Sequence, residues 1–219
     1  MKIIGFDFDG VFINIETEKA KLFGDILYKH WGVDPILASN LWLLNLGTSR
    51  RYKFDLLYQN NFSNKLQEEI YQEIEQEFSD TLIRDYYPGA ELINETFEAA
   101  RDLNNKFDLS FISSGIPHGE LNSIASKFKI DKYFDLILGT SQNFKSKADH
   151  FHIVTQNNLP SPGIFIGDGL EDMKIAKQFN FIAVGLPANH DSRALLNAGA
   201  DLICEFSSLK QEINNLIAK

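Results

Sequence analysis

The amino-acid sequence predicts an α/β fold in which a parallel sheet carries an all-helical insertion. After residue 107, short apolar runs alternate with segments of helical spacing, which indicates parallel strands joined by helices. Residues 16–84 break this alternation, because they contain helical patterns and no apparent strand. A chain of 219 residues is long enough for one large domain that carries such an insertion.

The predicted strands are short apolar runs bounded by polar or turn-forming residues. The first comprises residues 2–7 and is followed closely by Gly10. The later strands are predicted at 109–112, 134–138, 164–166, 181–184 and 202–204. Helices are predicted at 90–104, 118–128, 148–157, 170–179 and 191–198. Ligands of such sheets bind at the carboxyl ends of the strands, so functional side chains are expected there.

The inserted segment has the pattern of a small helical bundle. Its clearest amphipathic helix has an apolar residue at every fourth position: Leu66, Ile70, Ile74, Phe78 and Leu82. Pro88 and Gly89 mark the return to the alternating pattern. The sequence therefore predicts one domain formed by residues 1–15 and 86–219, and a helical domain formed by residues 16–85.

Composition limits the partners and the location that can be expected for the protein. The formal net charge of −9, with no basic run, disfavours nucleic acid and anionic membranes as partners. Cys204 is the one cysteine, so no internal disulfide is possible, and a buried apolar role is expected for it. No apolar run is long enough to span a bilayer, and a first strand at Lys2 leaves no room for a signal peptide. We expect a soluble cytoplasmic protein.

Two carboxylates, Asp7 and Asp9, lie at the end of the first predicted strand. Alternation along an extended chain places both side chains on one face of the sheet, where each makes ionisation of the other more costly. A structural role seldom needs such a pair. A site that combines a divalent cation, a nucleophile and a proton donor does, so the pair indicates catalysis.

Other polar side chains follow later strands of the predicted sheet. Ser113, Ser114 and Gly115 follow the second strand, and the sequence Gly-Asp-Gly-Leu-Glu-Asp at 167–172 follows the fourth. A basic segment with Lys145 and Lys147 precedes the helix predicted at 148. Because the carboxyl ends of parallel strands meet at one edge of a sheet, we expect these groups to converge.

These motifs, in this order, resemble the haloacid dehalogenase superfamily, whose members transfer phosphoryl groups to an aspartate. The resemblance covers essentially the whole chain. It rests on four motifs: Asp-Phe-Asp-Gly-Val at 7–11, the hydroxyl after the second strand, the lysine before the helix at 148, and Gly-Asp-Gly-Leu-Glu-Asp at 167–172. Tyr-Pro-Gly-Ala at 87–90 and the insertion point are similar to the phosphoglycolate phosphatase and β-phosphoglucomutase-like subgroup. The resemblance implies a Rossmann-like core with a helical cap domain.

The resemblance implies a role for each acidic residue. Asp7 would attack phosphorus and form an aspartyl-phosphate, and Asp9 would protonate the leaving oxygen and then activate water. Mg²⁺, which prefers hard oxygen ligands, would be held by Asp7, the backbone carbonyl of Asp9 and Asp168. Asp172, one helical turn after Asp168, would be an additional metal ligand or a carboxylate behind the ligands.

The resemblance also implies contacts to the phosphoryl group. Ser113 directly follows the apolar run and is preferred as the hydrogen-bond donor to a phosphoryl oxygen, with Ser114 as the alternative. Ser114 and Gly115 are candidate substrate-binding residues. A lysine would balance the negative charge. Lys147, in Lys-Ala-Asp-His-Phe, is similar to the phosphoserine phosphatase form of this motif, while Lys145 stays open as an alternative.

Two features of the helical insertion bear on the reaction. Gly-Thr-Ser-Arg-Arg at 47–51 resembles a loop that closes onto the substrate in the mutases and in some phosphatases. Arg50 is therefore a candidate for forked binding of phosphate or carboxylate, although a solvated helix start gives the same pattern. The mutases carry a histidine in the first cap helix, where this chain has Lys19. This difference favours hydrolysis.

The sequence thus predicts a Mg²⁺-dependent phosphatase that acts on a small phosphorylated metabolite, of the phosphoglycolate or sugar phosphate type. A phosphomutase with the same nucleophile is the alternative. A non-catalytic protein that binds a phosphoryl ligand or a partner protein is the alternative from another class. The identity of the substrate and the oligomeric state stay open.

Overall fold

A six-stranded parallel sheet forms the centre of the fold, in a computed structural model that describes residues 2–156 and 162–218. The strands are β1 (Ile3–Phe6), β2 (Leu109–Pro117), β3 (Leu136–Thr140), β4 (Ile164–Gly167), β5 (Ile182–Gly185) and β6 (Leu202–Ile203). Their order in the sheet is β3-β2-β1-β4-β5-β6, and every neighbouring pair is parallel. The predicted α/β fold class is confirmed.

Helices alternate with these strands along the chain, as predicted. They are α5 (Asn94–Leu103), α6 (His118–Lys127), α7 (Lys147–Thr155), α8 (Leu170–Gln178), α9 (Ser192–Ala198) and α10 (Leu209–Ile217). The last residue of the helix predicted at 148–157 lies outside the described residues. Apolar side chains of these helices pack on the sheet, and β1 and β4 are buried at every position.

Four helices occupy the segment in which no strand was predicted. They are α1 (Glu16–Trp31), α2 (Pro35–Leu44), α3 (Arg50–Phe62) and α4 (Glu68–Thr81), followed by a π-helical turn at Leu82–Tyr86. Aromatic rings hold them together: the Phe23 ring is 5.0 Å from that of Phe54, and the Trp42 ring is 5.3 Å from that of Phe78. We call residues 16–85 the cap segment and the remainder the core, a division that stays a prediction.

The turn after β1 brings two strand ends into close contact. Gly10 has a φ of +72°, a left-handed conformation that favours glycine. A Cβ atom on Gly10 would lie 2.1 Å from Oδ2 of Asp168, which follows the neighbouring strand β4. Glycine at this position therefore lets the loop after β1 approach the loop after β4.

Candidate active site

Asp7 lies at the centre of the edge formed by the carboxyl ends of the strands. It follows β1 directly and is 4% exposed. The backbone N–H of Phe8 donates a hydrogen bond to Oδ1 of Asp7 over 2.7 Å, and Nζ of Lys147 lies 2.9 Å from the same oxygen. Burial and the charge of Asp172 raise the pKa of Asp7 to about 7, although Lys147 opposes this shift. The carboxylate is thus fixed in orientation and needs positive charge to stay ionised.

Lys147 supplies part of that positive charge. It is the first residue of α7, and its Nζ lies between the carboxylates of Asp7 and Asp172. Burial lowers the pKa of Lys147, but the charges of Asp172 and Asp7 outweigh burial and hold it above its usual value. Lys145, the open alternative, is exposed, and its backbone N–H bonds to Asp149. The structure therefore places Lys147 rather than Lys145 beside Asp7.

Asp7, Asp168 and Asp172 form a buried acidic cluster. One carboxylate oxygen from each lies within 4.8 Å of the others. Nδ2 of Asn189 donates to Asp168 over 2.6 Å, and the N–H of Gly169 donates to Asp172 over 3.0 Å. Burial, with the charges of Asp7 and Asp172, raises the pKa of Asp168 well above its usual value.

The acidic cluster fits a Mg²⁺ ion by both charge and donor type. Among the described residues, the three buried carboxylates of the cluster have one ammonium group beside them, that of Lys147, which contacts Asp7 and Asp172, so the cluster is short of positive charge. Carboxylate oxygens are the hard ligands that Mg²⁺ prefers, and a divalent cation here would favour the ionised forms. We call this cluster, with Lys147, the floor of the site.

The side chain of Asp9 lies outside the acidic cluster and is directed towards the cap segment. It forms an ion pair with Nζ of Lys19, which also lies 3.2 Å from Oε1 of Glu16. Burial raises the pKa of Asp9 to about 7, and the charge of Lys19 acts in the opposite direction. The predicted metal contact of Asp9 involves its backbone carbonyl and stays a prediction. Lys19 therefore joins the cap segment to the nucleophile loop.

The two serines after Ile112 have different surroundings from those expected. Ser113 is fully buried, and its Oγ donates to Nδ1 of His150 over 2.9 Å. Ser114 and Gly115 line the cavity above Asp7. The preference for Ser113 as the phosphoryl contact is therefore corrected in favour of Ser114. The physical reason is that β2 continues to Pro117, so Ser113 lies within the strand and faces α7 rather than the cavity.

Arg50 lies at the cavity, but its guanidinium group is already engaged. Nη1 and Nη2 donate to the two carboxylate oxygens of Glu120 on α6 of the core, each over 2.8 Å. Nη1 also lies 2.6 Å from Glu75 and 2.7 Å from Ser79. Burial raises the pKa of Glu120, but Arg50 holds it below its usual value. This arginine joins the cap segment to the core, and its binding of substrate stays a prediction.

The cavity between the cap segment and the core has a volume of about 30 Å³. We call its cap side, formed by Lys19, Arg50, Lys53 and Trp42, the roof of the site. The loop before α3 lies directly on the core, since a Cβ atom on Gly115 would be 2.6 Å from the carbonyl oxygen of Thr48. The cap segment and the core are therefore in contact beside the cavity.

Several residues at the site were missed by the sequence analysis. They are Glu16, Trp42 and Lys53 of the cap segment, and Glu120 and Asn189 of the core. The signal that could have identified the residues of the cap segment is the presence of charged side chains on the otherwise apolar faces of two helices. Arg50 and Lys53 share the buried face of α3 with Phe54 and Leu57, and Glu16 and Lys19 share that of α1 with Ala20 and Phe23.

Comparison with known families decides the relationship of the chain. The sequence profile of the haloacid dehalogenase-like hydrolases matches residues 4–185. The chain belongs to this family. The resemblance stated from the motifs is thereby confirmed, as is the prediction that the protein is an enzyme of this hydrolase class.

Solved structures of haloacid dehalogenase-like proteins share the whole fold. A hydrolase from Pseudomonas syringae is 18% identical with a TM-score of 0.78, covering 100% of this chain and 99% of that one. A protein from Haemophilus somnus described as a phosphoglycolate phosphatase is 18% identical with a TM-score of 0.75, covering 97% and 98%. One from Thermotoga maritima described as a β-phosphoglucomutase is 16% identical with a TM-score of 0.66, covering 99% and 100%.

No curated protein matches the chain. Within the described ranges, 2–156 and 162–218, no helix is both long and apolar enough to cross a membrane.

Proposed function

We propose that this haloacid dehalogenase-like hydrolase is a Mg²⁺-dependent phosphatase of small phosphorylated metabolites. The observation that carries the proposal is the placement of Asp7 in the floor. Its carboxylate contacts Lys147 and belongs to the acidic cluster, and Asp9 faces the same cavity. This arrangement provides a nucleophile, a proton donor and the charge needed to accept a phosphate dianion.

The first half of the proposed reaction forms a phosphoaspartate. An oxygen of the Asp7 carboxylate attacks phosphorus, the bond from phosphorus to the ester oxygen breaks, and Asp9 gives its proton to that oxygen. Ser114 and the backbone at Gly115 would bind the transferring phosphoryl group. Lys147 offsets the repulsion between the carboxylate and the phosphate dianion, and Mg²⁺ held by the acidic cluster would supply further positive charge there.

The second half releases inorganic phosphate. Asp9, now ionised, takes a proton from a water molecule, whose oxygen attacks phosphorus and releases the Asp7 carboxylate. The ion pair with Lys19 holds the side chain of Asp9 in one position during both halves. Asp7, Asp168, Asp172 and the carbonyl of Asp9 are the proposed ligands of the metal.

Admission of a substrate requires the cap segment to move. A cavity of about 30 Å³ has room for roughly two water molecules and not for a phosphate ester. The roof must lie farther from the floor when a substrate is bound, and a cap segment closed over the substrate would exclude bulk water from the reaction.

The proposal is tested by phosphate release from a panel of metabolite esters and an aryl phosphate. We expect turnover with Mg²⁺, loss of turnover in EDTA, and recovery when Mg²⁺ is added back. Asp7→Asn should lower kcat at least about 10³-fold, because the nucleophile is removed. Asp80→Asn, which alters an exposed carboxylate on α4, is the matched control and should not change kcat.

Two results would contradict this proposal. An Asp7→Asn variant with undiminished turnover would exclude a phosphoaspartate. Conversion of a sugar 1-phosphate to its isomer without phosphate release would show a phosphomutase, the alternative that shares this nucleophile.

A further inference from the structure

Lys53 is a buried cation in the roof of the cavity, and no carboxylate of the described residues lies within 4.0 Å of its Nζ. It lies on α3, is 5% exposed, and lines the same cavity as Asp7. Its Nζ makes one long hydrogen bond, 3.4 Å to the carbonyl oxygen of Thr48, and lies 4.2 Å from the centre of the Trp42 ring. An ammonium group has three donors, so most of its hydrogen-bonding capacity is unused.

The other cations at this cavity are already neutralised by the protein. Nζ of Lys147 contacts Asp7 and Asp172, and that of Lys19 contacts Asp9 and Glu16. Arg50 is held by Glu120 and Glu75. Among the residues that the structure describes, Lys53 is the cavity cation with no carboxylate oxygen within 4.0 Å of its Nζ.

The protein nevertheless holds Lys53 in place. The Trp42 ring lies beneath the ammonium group, and the ring is itself fixed by a 2.8 Å hydrogen bond from its Nε1 to Glu16. Burial lowers the pKa of Lys53 to about 8, against the attraction of Glu16. An unpaired buried cation is costly, and an anion that enters the cavity would remove much of that cost.

The position of Lys53 indicates which part of a substrate it would meet. The phosphoryl group must lie on the floor, within bonding distance of Asp7. The remainder of the ester then extends from the floor towards the roof, where Lys53 lies. We propose that Lys53 binds a second anionic group, carried on the leaving-group part of the substrate. The substrate class is then a small phosphate monoester that also bears a carboxylate or a second phosphate, an assignment that rests on the proposed phosphatase activity.

The test uses pairs of esters that differ only in the second anion. Phosphoglycolate is compared with ethyl phosphate, and ethanediol bisphosphate is compared with 2-hydroxyethyl phosphate, all with Mg²⁺. The wild-type protein should have a higher kcat/KM for the doubly anionic member of at least one pair. Whichever pair shows the larger ratio identifies the anion as carboxylate or phosphate.

Variants of Lys53 separate anion binding from a structural role. Lys53→Met keeps an unbranched apolar stem against Trp42 but removes the charge. It should lower kcat/KM about 10- to 100-fold for the preferred anionic ester, mainly through KM, and leave the uncharged member of the pair unchanged. Lys53→Arg, which keeps the positive charge, should retain part of the kcat/KM for the anionic ester that Lys53→Met loses. Lys21→Met, at an exposed position on α1, is the matched control.

Each contrary outcome has a distinct meaning. Hydrolysis of all four esters with no preference in either pair would overturn the assignment of Lys53 and leave the phosphatase proposal standing. An equal loss for charged and uncharged esters in Lys53→Met would show a structural role and would also overturn it. Hydrolysis of none of the four esters, with the aryl phosphate still turned over in Mg²⁺, would overturn the substrate class and leave the phosphatase proposal standing. Loss of aryl phosphate turnover as well would overturn both proposals.

Discussion

The floor and the roof of the cavity carry opposite charges and are built in different ways. The floor consists of acidic residues at strand ends, Asp7, Asp168 and Asp172, with one cation, Lys147. The roof consists of Trp42 and three cations on the buried faces of α1 and α3, of which Lys53 has no carboxylate within 4.0 Å of its Nζ among the described residues. A phosphate ester between them would meet a metal-binding nucleophile on one side and fixed positive charge on the other. The floor can thus determine the reaction, while the roof can determine which ester reacts.

Removal of the floor's cation should have the largest effect. In Lys147→Met, Asp7 and Asp172 lose the ammonium group between them, so kcat should fall about 10³-fold, equivalent to about 4 kcal/mol. The matched control is Lys145→Met, two residues away and exposed, which should retain wild-type kcat. Steady-state phosphate release on the two variants makes the comparison. A larger loss in Lys145→Met would reverse the assignment of the site lysine.

The second largest effect should come from breaking the contact between Arg50 of the roof and Glu120 of the core, and it should appear in the free energy of unfolding. Glu120→Gln removes the charge that pairs with buried Arg50, and the free energy of unfolding should fall by about 3 kcal/mol. Arg50→Met combined with Glu120→Gln should cost little more than either change alone, because the two residues act as a pair. Urea unfolding of the single and double variants measures this coupling.

The same variants distinguish a structural arginine from a substrate-binding one. If the role of Arg50 is to hold the cap segment to the core by its ion pair with Glu120, KM should rise similarly in Glu120→Gln and Arg50→Met. A rise confined to Arg50→Met would support the prediction that Arg50 binds the substrate directly. Arg51→Met, which alters the neighbouring half-exposed arginine paired with Asp55, should change neither KM nor the coupling.

A smaller effect on the free energy of unfolding is expected at His150, a buried residue of α7. Its Nε2 donates to the carbonyl oxygen of Gly139, so the Nδ1 of the neutral ring accepts from the hydroxyl of Ser113. Burial lowers the pKa of His150 from 6.5 to about 4. Protons therefore bind more tightly to the unfolded chain, and stability that is present above pH 6.5 is lost as pH falls towards 4. About 2 kcal/mol should be lost between pH 7.5 and pH 5 through this histidine.

Comparison with His150→Gln isolates that contribution. The glutamine amide can donate to Gly139 and accept from Ser113, but it does not titrate. Urea unfolding at the two pH values should show a smaller loss of stability in the variant than in the wild-type protein. Equal losses in the two proteins would show that His150 is not the titrating group.

The sequence predicted the floor far better than the roof, for physical reasons. Asp7 and Asp168 lie in short motifs directly after strands, and Lys147 begins the helix that follows β3. A parallel sheet brings such strand ends together whatever the details of the loops. The error at Ser113 arose because the strand continues beyond its apolar run. Side-chain direction after Ile112 therefore follows the strand and not the turn that was expected.

The roof depends on how helices pack, which motif spacing does not define. Spacing predicts that Arg50 and Lys53 share one face of a helix, but it does not show which of them meets Glu120. Glu120 and Asn189 come from parts of the core far away in sequence, and nothing in their local pattern indicates a partner. The charged residues within the apolar stripes of α1 and α3 were the available signal.

The central claim, that Asp7 accepts the phosphoryl group, has a direct test in the Asp9→Asn variant. An aryl phosphate has a leaving group that needs no proton, so the first step should proceed in this variant, while loss of the base slows hydrolysis of the phosphoaspartate. After an acid quench and digestion, mass spectrometry should find the phosphoryl group on residue 7 of the variant. Aryl phosphate turnover with the phosphoryl group on another residue, or with no phosphorylated peptide, would contradict the account.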